Sequence, residues 1–178
     1  MDDHAHDGSD PGGGSVEALF DIVAKDHAGL IYRIALAHEA DPAIRGELVQ
    51  DIMLAIWGSL PRFRRDASLK TFVTSIAYNQ SIAHVARVVR RRRLSPAADA
   101  LPAEPDLPDE AADRKQRQQH LLDAIQTLPL AQRQAIILYL EDFTFAEIGE
   151  ALGISAHAAA MRCNRAKAAL TVAMRTQA

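Results

Sequence analysis

From Ser95 to Asp113 the chain carries four prolines (Pro96, Pro102, Pro105, Pro108) and six carboxylates, without a single Lys or Arg. Proline removes a backbone donor and clashes with the preceding turn, so no helix continues through this stretch, and acids mixed with alanines contribute little to a core. The chain is therefore expected to fold as two bodies, residues 15–94 and 114–178, joined by an acidic, flexible, proline-rich linker over 95–113. Residues 1–14, with Asp10-Pro11 and three consecutive glycines, lack the apolar side chains that offset chain entropy and read as a disordered tail. The formal charge of -3 conceals a partition. The first body carries 12 basic and 8 acidic residues, the second 8 and 5. Two basic bodies on an acidic strap favour a polyanionic partner for each.

Composition sets the fold class. Apolar residues are 48% of the chain and aromatics only 5%, a mixture rich in Ala, Leu and Ile and poor in strand-forming runs. The fold class is all-α. Leu19, Ile22, Val23, Leu30, Ile31, Ile34 and Ala35 recur at helical spacing after Ser15. Asp41-Pro42 caps a second helix with Ile44, Leu48, Ile52, Ala55 and Ile56 inward and Gly58 at its end. Ser68 caps a third, whose buried stripe is Leu69, Phe72, Val73, Ile76, Ala83 and Val89, and which finishes in Arg90 to Arg93. In the second body one helix carries Leu121, Leu122, Ile125 and Leu128, and Pro129 opens another. Thr144 with Glu147 makes a capping-box pattern before a short helix, Gly153 ends it, and Ser155 caps the last helix.

The turn Gly153-Ile154-Ser155 between two helices is a helix-turn-helix pattern, in which the second helix enters the major groove of DNA. Arg162, Arg165 and Lys167 project from that helix toward phosphates. Short helical hairpins with a glycine turn also serve plain structural roles. The arginines near residue 90 read equally well as a phosphate contact or as a solvated helix end favoured by the dipole. A single cysteine, Cys163, excludes an internal disulfide and reads as a small buried residue. No Gly-rich phosphate loop, paired metal ligands or activated nucleophile is present, which argues against an enzyme, a metal or a cofactor. His4 and His6 in the tail could hold a metal only weakly. With no apolar run of roughly 18 residues and no signal-like start, a cytoplasmic chain without membrane insertion is expected.

Two blocks in order carry a family resemblance. ELVQDIMLAIW (Glu47 to Trp57) followed by SLKTFVTSIAYNQSIAHVARVVRRR resembles region two of extracytoplasmic-function sigma factors, members of the sigma-70 family. LDAIQTLPLAQRQAIILYLEDFTFAEIGEALGIS with RCNRAKAAL resembles their region four. The resemblance implies a three-to-four-helix bundle for region two and a helix-turn-helix for region four. It implies binding to core RNA polymerase through Glu47, Leu48, Gln50, Asp51 and Met53, on a helix that docks against the polymerase clamp. It implies contact with the melted -10 element of promoter DNA through Lys70, Phe72, Asn79, Arg87, Arg90 and Arg91. It implies reading of the -35 element by the last helix, through Ser155, His157, Arg162, Arg165 and Lys167. Phe72 could stack on an unpaired base or simply be core. Many such factors are held by an anti-sigma partner, a further expectation of the resemblance that no residue here demonstrates. The acidic strap resembles the linker such factors thread toward the RNA exit path, and reads equally well as a solvated spacer.

The sequence departs from the family's pattern twice. Arg45, Gly46 and Glu47 stand where relatives carry an acidic pair, which is expected to weaken clamp docking by about 1 kcal/mol per lost exposed pair. Ala156, His157, Ala158, Ala159, Ala160 and Met161 replace polar base readers, so -35 selectivity is expected to rest on phosphate placement, His157, Arg162, Arg165 and duplex shape. Two rivals stand beside a sigma factor: a helix-turn-helix regulator that binds DNA but not polymerase, and an all-helical adaptor without DNA binding, which the basic bodies disfavour.

Overall fold

The structure, a computed structural model, describes residues 15–94 and 119–176, so the expectations for tail and linker lie outside the described residues. Ser15 accepts a hydrogen bond from the Ala18 amide and starts α1 (Val16–Ile22). The helix widens into a π-helical turn over Val23–His27 before α2 (Ala28–His38). The extra residue in that turn changes the register of the apolar face. Val23 is fully buried while Ile22, expected on the same greasy face, is 43% exposed.

Asp41 caps α3 (Pro42–Ser59) by accepting from the amides of Ala43 and Ile44, with Pro42 in the first turn as its capping chemistry anticipates. Gly58 does not end this helix. The Ser59 hydroxyl donates to the Ala55 carbonyl, and the chain tightens into a 3-10 turn, Leu60–Arg62, around Pro61. Ser68 accepts from the Thr71 amide and opens α4 (Leu69–Leu94).

The buried face of α4 differs from the expected stripe. Val73, Ala77 and Tyr78 are buried, together with Thr71, Thr74, Ser81 and His84, whereas Ala83 and Val89 are exposed. The Ser81 hydroxyl donates to the Ala77 carbonyl one turn back, so a polar side chain enters the core already satisfied. Hydrophobicity alone misreads such a face.

In the second body, α5 is described over 119–127, and α6 (Leu130–Leu140), α7 (Phe145–Leu152) and α8 (Ala156–Thr176) pack on one another. Ala135 on α6 faces a small-residue side of α8, where Ala159, Cys163 and Ala166 are fully buried. The Cys163 thiol donates to the Ala135 carbonyl at 3.4 Å, and burial pushes the thiol pKa up. Small side chains here let the two helix axes approach closely.

The two bodies share one continuous buried cluster. Along the seam α2 meets α6 and α4 meets α7. The buried Tyr78 hydroxyl donates to the Gln134 carbonyl at 2.9 Å, Gln126 donates to the Leu36 carbonyl at 3.0 Å, and Arg33 pairs through two nitrogens with the Glu141 carboxylate. The two modules expected from the sequence are thus folded against each other.

Candidate nucleic-acid interface

The helix-turn-helix is built as its local chemistry requires. Thr144 accepts from the Glu147 amide while the Glu147 carboxylate accepts from the Thr144 amide and hydroxyl, completing the capping box at the start of α7. These bonds hold the Glu147 carboxyl below the usual carboxylate range. Gly153 takes a left-handed φ of 65° to end α7, and Ser155 accepts from the Ala158 amide at 3.1 Å to begin α8.

The tightness of the turn rests on Gly149, a residue that capping and periodicity did not mark. A Cβ there would lie 2.7 Å from the Ile154 carbonyl oxygen and 3.1 Å from the Ala156 nitrogen, both backbone atoms. Its signal was available: glycine inside a short helix costs about 1 kcal/mol relative to alanine and calls for a packing reason. Gly149→Ala is expected to destabilise the second body by about 1–3 kcal/mol despite its better helix propensity. A denaturation midpoint raised by the substitution would refute the close approach.

The -35 set divides on α8. Ser155 is a cap, His157 and Arg165 are exposed, and Arg162 is half-buried. The Lys167 ammonium sits 3.5 Å from the centre of the Tyr139 ring, on the flank facing α6.

On α3, Glu47 and Gln50 are exposed and Met53 packs partly against the core. Leu48 is 1% exposed, so it supports the helix from within the core and cannot itself reach a partner. The same outward face continues at helical spacing through Leu54, 70% exposed, and Trp57, whose ring meets Phe20 edge-on at 5.0 Å. These two went unmarked because the inward stripe of Ile44, Leu48, Ile52, Ala55 and Ile56 says which side of the helix is buried and not what the opposite side does.

The -10 set is spread along α4. The Lys70 ammonium donates to the Glu141 carbonyl at 3.1 Å and lies 4.0 Å from the Phe143 ring, so it is engaged at the seam. Phe72 is half-buried, its ring 4.8 Å from that of Phe63. Asn79, Arg90 and Arg91 are exposed. Arg87 reaches the Asp51 carboxylate at 3.2 Å, and Glu47, Asp51, Arg87 and Arg91 line one narrow cleft between α3 and α4. Members of the polymerase set and the -10 set therefore meet in a single groove.

Arg45, the departure from the family pattern, has a partner inside the chain. It donates to the Ala40 carbonyl at 3.2 Å beyond the end of α2 and lies over the Tyr32 ring. Among the described residues no cluster could hold a metal ion, and no helix is long and apolar enough to cross a membrane.

Residues 23–93 match the family described as sigma-70 region 2, and residues 118–170 match sigma-70, region 4. The RNA polymerase sigma factor CarQ of Myxococcus xanthus is 29% identical over 156 residues, covering 85% of this chain and 86% of that protein. Among solved structures, the sigma factor RpoE in complex with the anti-sigma factor NepR from Bartonella quintana aligns with a TM-score of 0.67 at 19% identity, over 87% of this chain and 94% of that one. CnrH in complex with the cytosolic domain of CnrY aligns with a TM-score of 0.66 at 21% identity, over 93% and 92% of the two chains. At these identities the solved structures speak to the fold.

Proposed function

The chain belongs to the sigma-70 family, with the two-region build of its extracytoplasmic-function members, and is a sigma factor that directs RNA polymerase to promoters; from that premise we propose how its surfaces divide the work. The outward face of α3, with Glu47, Gln50, Leu54 and Trp57, docks on core polymerase. Leu54 and Trp57 supply the apolar area and Glu47 the charge, while Arg45 is turned toward the end of α2 and leaves that face unopposed. Residues 15–94 act as the -10 and polymerase domain, 114–178 as the -35 domain, and 95–113 as the tether. Arg90 and Arg91 track the phosphates of the opened strand, and Asn79 lies on the same helix within reach of unpaired bases. His157, Arg162 and Arg165 approach the -35 duplex from α8. The protein works by binding alone, in the cytoplasm, and supplies no catalytic group of its own. One structural relative was determined with an anti-sigma factor and the other with the cytosolic domain of CnrY, which supports a protein partner for this chain, of the anti-sigma kind.

The observation that carries most of this reading is the engagement of Lys70 by Glu141 and Phe143. Promoter elements about 25 base pairs apart lie about 85 Å apart along B-DNA. A compact chain of 178 residues is only about 40 Å across. The folded-together arrangement therefore cannot touch both elements, and it withholds Lys70 from the -10 strand. The stretch between Leu94 and Gln119 can extend to about 80 Å, enough to let the bodies part. Binding polymerase and promoter is the event that separates them.

Run-off transcription with purified core polymerase on random promoter fragments tests the reading. The complete chain is expected to yield discrete start sites, and failure to associate with core while still binding duplex DNA would favour the regulator without polymerase. In the same assay Arg90→Ala with Arg91→Ala is expected to weaken promoter binding at every sequence alike and to lower the slope of affinity against salt by about 1 per residue. An unchanged slope would return these arginines to the role of a solvated helix end.

A further inference from the structure

The run Ala156 to Met161 leaves the start of α8 with His157 as its one polar side chain, yet another stands further along the same helix. Ala159, Cys163 and Ala166 are fully buried and set the inner face of α8. At 100° per residue the opposite face is formed by His157, Met161, Asn164 and Ala168, and all four are exposed. From His157 to Asn164 this stripe spans about 10 Å along the axis, which fits within the major groove's width of about 12 Å. Arg165 borders the stripe on one side, while Arg162 and Lys167 lie lower on its two flanks, where side chains meet phosphate ridges.

The Asn164 side chain makes no hydrogen bond with any described residue, so its amide keeps both a donor and an acceptor free on the outward face. Its backbone lies two turns inside a helix whose start is held by Ser155 and whose base is locked on α6 by Cys163, the residue before it. A short side chain on so firmly held a helix has few ways to point, which favours direct readout.

Resting on the -35 role proposed above, we infer that Asn164 is a sequence-reading residue of the -35 element that recognises an adenine. Its amide accepts from the adenine N6 amino group and donates to N7 in the major groove, the pairing that the Asn donor and acceptor geometry fits. Met161, 41% exposed and one turn earlier on the same face, offers an apolar contact for a thymine methyl beside that adenine. Base selectivity at this element thus comes from the middle of the helix, with the alanines before it allowing close approach.

The test is selection from promoter duplexes randomised through the -35 region, using polymerase holoenzyme assembled with the full chain. Wild type is expected to enrich adenine at one position. Asn164→Ala should lose that enrichment roughly tenfold, with preferences elsewhere and affinity for random duplex retained. Asn164→Asp should move the preference at the same position to cytosine, because a carboxylate accepts from its N4 amino group. Both substitutions are on an exposed helix face, so a shared circular dichroism spectrum checks the fold. Identical selection by wild type and Asn164→Ala overturns the inference, as does a loss spread evenly over all sequences. A wild-type holoenzyme that selects no -35 sequence overturns the promoter role of α8 together with it.

Discussion

Acidification from neutrality to about pH 4 is expected to remove about 3 kcal/mol of folding stability through one side chain, His38. Its ring is 7% exposed, its Nδ1 donates to the Ile34 carbonyl at 2.7 Å, and its Nε2 has no hydrogen-bond partner among the described residues. Burial pushes its pKa down to about 4, opposed by the bond to Ile34 and assisted by the positive field of Arg133 and by His84. The unfolded chain takes this proton below about pH 6.5, and the folded chain refuses it until about pH 4. The unfolded state binds more protons in that window, so stability is complete above it and falls as pH falls through it. Denaturation midpoints across this range should show the loss in wild type, and His38→Gln should flatten it. Equal acid slopes in the two proteins would assign the sensitivity to other groups. His38 packs edge-on against Tyr78, whose hydroxyl crosses to Gln134, so acid should loosen the seam before the outer helices.

Arg133→Ala is expected to cost about 2–3 kcal/mol, more than any exposed arginine in the chain should. Its guanidinium donates to the carbonyls of Gln126 and Leu128 at the end of α5 and to that of Ala37 in the other body. Truncation strands these acceptors where water reaches them only in part, and a charge-assisted hydrogen bond contributes about 1.5–3 kcal/mol when retained. Arg133→Lys should recover a minor share, because an ammonium cannot copy a planar fork that spans three carbonyls. Chemical denaturation gives the size, and hydrogen exchange at Leu36 to His38 and Ile125 to Leu128 shows where it acts. An unchanged midpoint would mean that solvent replaces the guanidinium fully.

The capping chemistry was legible residue by residue. Asp41, Ser68, Thr144 with Glu147, and Ser155 each accept the amide that their position before an apolar run requires. Such bonds reach only three residues along the chain, and so their evidence is local. Burial was less legible, for identifiable reasons. Thr71, Thr74 and Ser81 look polar but are buried, the last of them bonded within its own helix, while Leu54 and Trp57 are large and apolar yet face outward. A single-residue change of register at the π-helical turn exposes Ile22, and nothing in the composition of Val23 to His27 announces that turn.

Among the candidate site residues, Leu48 was assigned by its place in a motif, and its burial distinguishes the frame of that motif from its working face. Gly149 and Asn164 went unmarked because one acts through backbone packed from the following turn, and the other through the direction of a face settled by what α8 buries.

By itself the sequence determined two basic helical bodies, their caps, the helix-turn-helix and the family, because these depend on chain-local spacing and on the order of motifs. Only the tertiary structure decided that the bodies close on each other, that Lys70 and Arg133 spend their charge at the seam, and which side of α8 faces outward. Those outcomes depend on partners as far apart as Arg33 and Glu141, and no periodicity within one helix encodes what a distant helix will place against it.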